Sequence, residues 1–229
     1  MKINGLQKTT LLDYPGKVAC TLFTPGCNFR CPFCHNAGLV LGGEDEPLSE
    51  SEILRFLEKR KGILEGVCVT GGEPLLQADI GDFLAEVKAL GLSVKLDTNG
   101  SFPARLKSLV SAGVVDYVAM DIKNSPAKYA RTVGVPNFDL APVRESVAFL
   151  KRGNLPFEFR TTVVRELHEA EDFEEIGKWI EGAPQYFLQN FTDSGELLSS
   201  GLTAHPAECL RSFAAIAEKY VKKVGLRGI

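Results

Sequence analysis

Three cysteines fall within eight residues: Cys27, Cys31 and Cys34, in the run Thr-Pro-Gly-Cys-Asn-Phe-Arg-Cys-Pro-Phe-Cys-His-Asn from Thr24 to Asn36. The spacing is C-x3-C-x2-C, and Phe33 immediately precedes the last thiol. Thiolates are soft ligands, and three this close along a chain can turn onto one metal centre. A closed four-cysteine site needs one more. A cube of four irons held by three cysteines keeps one iron open to a ligand that is not protein. Such a position does chemistry, where a closed site only staples. Gly26 and Pro32 suit a tight loop at this point. A zinc site with His35 as fourth ligand is the other reading, although zinc motifs usually come as two separated pairs.

The elements that must position these thiols alternate along the chain. Apolar runs predict strands over residues 18–23, 67–70, 93–97, 115–122, 156–164 and 186–190, and residues 224–227 can add a seventh. Amphipathic stretches predict helices from residue 49 and over 79–90, 103–112, 140–152, 170–181 and 206–223. Ser49 followed by Glu52 is a capping box, and Ile80, Phe83, Leu84, Val87 and Leu90 form one apolar stripe that stops at Gly91. Strands alternating with helices imply a parallel sheet with right-handed crossovers. The expected fold is therefore α/β: an incomplete (β/α)6 TIM-like barrel, a curved parallel sheet with outer helices, with residues 1–229 as one domain. In such folds ligands bind at the carboxyl ends of the strands. Those ends hold Thr70-Gly71-Gly72-Glu73-Pro74, Asp97-Thr98-Asn99-Gly100, Asp121-Ile122-Lys123, Arg160 and Gln189-Asn190.

Composition narrows the function classes. A chain of 229 residues, 45% hydrophobic and 24% charged, can bury a full core. A net charge of −3 offers no basic field for nucleic acid or anionic membrane. No apolar run approaches the roughly 20 residues of a membrane span, and the first residues lack a signal-peptide pattern. A cytoplasmic protein is expected, with thiols kept reduced. Cys20, Cys68 and Cys209 then read as small buried residues, and only the group of three asks for a ligand.

The cysteine motif with its aromatic, followed after the next strand by Gly-Gly-Glu-Pro, resembles the radical S-adenosylmethionine (SAM) enzymes. Cys-Pro-Phe-Cys-His-Asn and Asp-Thr-Asn-Gly bring the likeness to the activating enzymes of glycyl radical enzymes, and nearest to anaerobic ribonucleoside-triphosphate reductase activating proteins. The likeness runs from Gly16 to the C-terminus. It implies a [4Fe-4S] cluster on Cys27, Cys31 and Cys34, with SAM at the open iron. A reducing electron from flavodoxin or ferredoxin would cleave SAM, and the resulting radical would take a hydrogen atom from a backbone glycine of a partner enzyme. The absence of a further cysteine-rich insert matches the compact activases.

The resemblance also implies individual roles. Phe33 packs near the cluster or the adenine. Gly71 and Gly72 meet the SAM amino group, and Glu73 shapes their turn. Asp97, Asp121 and Lys123 lie near the SAM carboxylate and ribose; the plain alternative is a strand-end salt bridge from Asp97 or Asp121 to Lys123. Arg160 points inward toward carboxylate or substrate, or else sits on the surface. Gln189 and Asn190 reach the adenine end, and His35 hydrogen-bonds near the cluster. Thr98 and Asn99 form a turn, His168 and His205 are surface loop residues, and Trp179 is core. Residues 123–139 and 192–205, long and polar, are the candidate partner contacts. Two other functions stay open at this point. One is a small-molecule radical SAM enzyme resembling 7-carboxy-7-deazaguanine synthase. The other is a non-catalytic iron-sulfur or zinc protein used for electron transfer, which has no need of Gly-Gly-Glu-Pro or charged strand ends.

Overall fold

The computed structural model describes residues 1–41, 46–193, 195 and 197–229. Ser194 and Glu196, inside the second candidate partner segment, lie outside the described residues. Eight strands hydrogen-bond in sequence order. They are β1 (Gly5–Thr10), β2 (Ala19–Thr24), β3 (Gly66–Gly71), β4 (Ser93–Thr98), β5 (Tyr117–Asp121), β6 (Phe157–Val163), β7 (Tyr186–Asn190) and β8 (Val224–Arg227). Helices α1 (Ala37–Leu41) and α2 (Glu50–Lys59) follow β2, α3 (Ile80–Ala89) follows β3, and α4 (Pro103–Ser111) follows β4. Then come α5 (Tyr129–Val133) and α6 (Ala141–Arg152) after β5, α7 (Ala170–Trp179) after β6 and α8 (Ala207–Ala217) after β7. The class is the expected one, α/β with a mostly parallel sheet and helical crossovers. Among the described residues no helix is long and apolar enough to cross a membrane.

The chain divides into two compact units: residues 1–28, 38–98 and 104–118, and residues 29–37, 99–103 and 119–229. In the first, β2, β3 and β4 pair in parallel. Val67, Cys68 and Val69 are all buried, which is why β3 reads as an unbroken apolar run. Phe83, Leu84 and Val87 of α3 are buried, each burial stabilising by about 1.5–3 kcal/mol. The α2 capping box forms as read, with the Ser49 hydroxyl accepting from the Glu52 N–H and the Glu52 carboxylate accepting from the Ser49 N–H at 3.0 Å. In the second unit, β6, β7 and β8 pair in parallel. Phe173 of α7 stacks on Phe213 of α8 with ring centroids 4.6 Å apart.

Several elements escape the sequence pattern. β1 pairs antiparallel to β2, and its middle residues are exposed, so Gly-Leu-Gln-Lys-Thr-Thr shows no apolar alternation. α1 and α5 have five residues each, too few for a helical period. β5 begins at Tyr117, two residues later than expected, and α8 stops at Ala217, well short of residue 223.

Candidate functional site

In the first unit the glycine turn is built against the base of the cysteine loop. β2 and β3 end in register, Thr24 opposite Gly71. The Gly72 N–H donates to the Thr24 carbonyl, the Glu73 N–H to the Gly26 carbonyl, and the Gly26 N–H to the Leu39 carbonyl, each at 2.8 Å. The backbone entering Cys27 is thus held by the turn. Gly71 has φ +113°, and a Cβ there would overlap the Thr24 backbone; a Cβ at Gly72 would overlap the Gly26 carbonyl. Glu73 is fully buried. Its Oε1 accepts from the Leu75 N–H at 3.0 Å and from the Thr98 hydroxyl at 2.8 Å, capping the 3-10 turn Pro74–Leu76 and tying it to the end of β4. These donors offset the desolvation of the buried carboxylate.

Asp97 forms a close ion pair with Lys95. Lys95, unnoticed in the sequence reading, is only 2% exposed. The two side chains share a face because they are two residues apart on β4, and Cys68 stands opposite Lys95 on β3. The Cys68 Sγ lies 3.7 Å from both charged groups. The signal was present, since the charges alternate with apolar Val94 and Leu96.

In the second unit the structure gathers Asp121, Lys123 and Arg160. The Lys123 Nζ donates to Asp121 Oδ2 and the Arg160 Nε to Asp121 Oδ1, both at 2.9 Å. Arg160 accordingly turns to the end of β5, with its side chain 17% exposed. Burial pushes the Asp121 carboxyl upward, but Arg160 and Lys123 outweigh it and hold the group well below the usual carboxylate range. Burial likewise works against the Lys123 ammonium, and Asp121 and then Cys31 more than reverse it. Lys123 also stands 6.0 Å from the centroid of buried Phe33. Cys31, Phe33, Asp121, Lys123 and Arg160 therefore share one neighbourhood.

The cysteine loop is anchored in this unit too. The Arg30 N–H donates to the Val133 carbonyl at 2.8 Å, and the Ser199 N–H to the Pro32 carbonyl at 3.1 Å. Phe29 packs edge-on to Phe138 at 5.1 Å, and the Cys34 N–H closes a turn onto the Cys31 carbonyl at 3.1 Å. His35 stacks on Phe191 at 5.7 Å, and its pKa is lowered by burial and then by Lys123. Gln189 is half-buried on β7, in register with Thr162 of β6 and Arg227 of β8. Asn190 spends its amide N–H on the His205 carbonyl at 3.0 Å.

His168 corrects the sequence reading. It is fully buried, not a surface loop residue. Its Nδ1 accepts from the Val164 N–H at 3.1 Å, which fixes the other ring nitrogen as the donor to the Lys123 carbonyl at 2.9 Å. The imidazole therefore pins the end of β5 to the turn after β6. His205 is half-buried, edge-on to Phe213. Nothing in Glu-Leu-His-Glu flags this, because a buried histidine has no period. Burial holds the His168 pKa below 6.5. The unfolded chain then binds a proton that the native one refuses, so this contribution to stability is complete above pH 6.5 and falls as the pH drops below it. We expect up to about 1.4 kcal/mol lost per pH unit from one such proton. Denaturant titrations between pH 7.5 and 5.5 should show this slope reduced in His168→Gln, and an equal slope would remove His168 as its source.

Among the described residues no three His, Cys, Asp or Glu side chains are already drawn round one metal-sized point. The donor chemistry nonetheless suits an iron-sulfur centre: three sulfur donors on one short loop, none in a disulfide. A sequence profile of the radical SAM superfamily matches residues 21–180. A Methanocaldococcus jannaschii protein named as a glycyl-radical enzyme activating enzyme, MJ1227, is 30% identical over 99% of this chain and 96% of its own. A pyruvate formate-lyase-activating enzyme of Listeria monocytogenes is 27% identical over 80% of this chain and 77% of its own. The crystal structure of a domain of the Bacteroides vulgatus pyruvate-formate lyase-activating enzyme shares the fold. It has a TM-score of 0.59 at 16% identity, over 71% of this chain and 99% of that one.

Proposed function

The chain belongs to the radical SAM superfamily, and from that premise we propose that it activates a glycyl radical enzyme, with an anaerobic ribonucleoside-triphosphate reductase as the partner. The observation that carries the reading is the C-x3-C-x2-C loop whose base is hydrogen-bonded to the Gly-Gly-Glu-Pro turn. Cys27, Cys31 and Cys34 would hold a [4Fe-4S] cluster. Held there, such a cluster would supply the one-electron chemistry for SAM cleavage and, through it, for hydrogen-atom removal from the partner's glycine.

The chain's own residues have definable work in this reading. Gly71 and Gly72 keep side chains out of the turn, so that backbone can approach the SAM amino group as well as the cysteine loop. Lys123 and Arg160, two cations on one carboxylate, favour an added anion, and the SAM carboxylate is the anion available. Phe33 offers a buried apolar face beside that charge. Asp97 is held by Lys95 at the end of β4, where a ribose hydroxyl could donate to it. Gln189 is our candidate for the adenine end. Flavodoxin or ferredoxin is the proposed electron donor, and the cytoplasm the proposed location.

The test is anaerobic reconstitution with iron and sulfide, reduction, addition of SAM and measurement of 5′-deoxyadenosine and methionine. Equal yields of both are expected. Adding the reductase should then produce a glycine-centred radical in it, seen by electron paramagnetic resonance. A full, reducible cluster with no SAM cleavage would sink the enzyme reading. Cleavage without a radical in the reductase would sink the choice of partner.

A further inference from the structure

Three exposed cations crowd one face of α6. Lys151 and Arg152 follow Arg144 by seven and eight residues, so the three share a helical stripe with Ala148. The Arg144 guanidinium stands over the Trp179 ring, 5.5 Å from its centroid, and the Lys151 Nζ donates to the Trp179 carbonyl at 3.4 Å. With Val147 and Ala148 these residues line a surface pocket, and no carboxylate is among them. Among the described residues none of the three cations has a carboxylate partner, although the whole chain carries a net charge of −3. Cations gathered in this way repel one another, and an acidic partner would relieve them.

Trp179, expected in the core, is half-buried. It is also the outer end of a line of rings. Trp179 meets Tyr129 edge-on at 5.9 Å, Tyr129 stacks on Phe138 at 5.9 Å, and Phe138 meets Phe29 edge-on at 5.1 Å. Rings at such spacings are packed in contact. Phe29 belongs to the cysteine loop, two residues before Cys31. A continuous path of packed side chains therefore runs from the cationic pocket to the loop that bears the thiols. The partner's glycine has to touch the atom that takes its hydrogen, so it must come to the strand ends. An electron need not touch its acceptor; it crosses protein, and packed atoms carry it better than a gap. Encounters with electron carriers also need little buried area and are guided by opposite charge.

We propose that the face formed by Arg144, Lys151 and Arg152 around Trp179 docks an acidic one-electron carrier protein, and that the rings of Trp179, Tyr129, Phe138 and Phe29 conduct its electron to the cysteine loop. The inference rests on the iron-sulfur reading given above. The reduced carrier loses one electron, the oxidised cluster gains it, and no atom is transferred. The rings are the medium and are not themselves reduced.

The experiment uses an acidic flavodoxin as probe. It compares wild type with a triple variant, Arg144→Gln with Lys151→Gln and Arg152→Gln, whose equal melting temperature should show that the fold is kept. Metal-free wild type should bind flavodoxin, and more weakly as salt rises. The Kd of the triple variant should be about tenfold higher. After reconstitution, the paramagnetic signal of the reduced cluster should appear more slowly in the triple variant when reduced flavodoxin is the donor. Dithionite, too small to need a docking surface, should reduce both proteins alike. Phe138→Leu with full iron content should bind flavodoxin as wild type does, yet accept its electron more slowly at saturation. Equal flavodoxin affinity in wild type and the triple variant overturns the docking surface, and an undiminished rate in Phe138→Leu overturns the path. A triple variant that keeps its flavodoxin affinity and loses the reductase gives this face to the other partner, which also overturns the inference. Wild-type protein that takes up no four-iron cluster overturns the functional reading, and this inference with it.

Discussion

Cys31→Ala is expected to lose iron, sulfide and 5′-deoxyadenosine formation together, with product falling to the protein-free background. The reason is ligand count. Three thiolates already leave one iron without a protein ligand, and removing one leaves half the cube unsupported. Cys31 is also the thiol within electrostatic reach of Lys123, so its loss strips the cation of a sulfur neighbour. The fold should survive, because Cys31 sits on a loop held independently by Arg30, Phe29 and Pro32 through Val133, Phe138 and Ser199. Cys209→Ala is the control. That thiol is half-buried on α8 and is expected to be irrelevant to metal. Iron and sulfide analysis with product chromatography on both variants decides the matter. Undiminished SAM cleavage in Cys31→Ala would defeat the cluster assignment.

What the sequence could disclose follows from what leaves a period or a spacing. The cysteine motif, the glycine turn and the parallel strands are local patterns, and β2 to β7 were legible from them. Lys95 was legible in principle, as a charge on the Asp97 face of a buried strand, but it lies inside β4 and not at the carboxyl end where ligands gather. Asp121, Lys123 and Arg160 were each singled out, yet their common neighbourhood depends on the pairing of Asp121 with a residue 39 positions away. His168 was beyond reach for a related reason. Its role comes from a carbonyl at Lys123, which tertiary structure alone brings near. β1 escaped because an edge strand with an exposed middle has no apolar signature.

Gly72→Ala carries the second large effect, and it separates two roles that the family likeness runs together. The likeness gives the glycine to SAM, while the structure packs it against the Gly26 carbonyl. The Cβ is fixed by its own backbone and meets a backbone carbonyl, so no side-chain rotation relieves the clash, and the strands behind are fixed by the Thr24–Gly71 register. Over-packing of this rigid kind belongs at the upper end of its usual range, about 3 kcal/mol. For a chain of this length that lowers the melting temperature by about 6–12 °C. The displaced carbonyl is two bonds along the chain from Cys27, so iron uptake should fall with stability. Gly38→Ala on α1 is the matched control: a Cβ there meets nothing within 4 Å, and the helix should gain roughly 0.5–1 kcal/mol. Calorimetry of both metal-free variants and SAM titration of both reconstituted ones tell the roles apart. A Gly72→Ala protein that melts like wild type but binds SAM weakly would give the glycine wholly to the ligand. One that melts early before any ligand is added would show that the turn's first duty is to hold the cysteine loop.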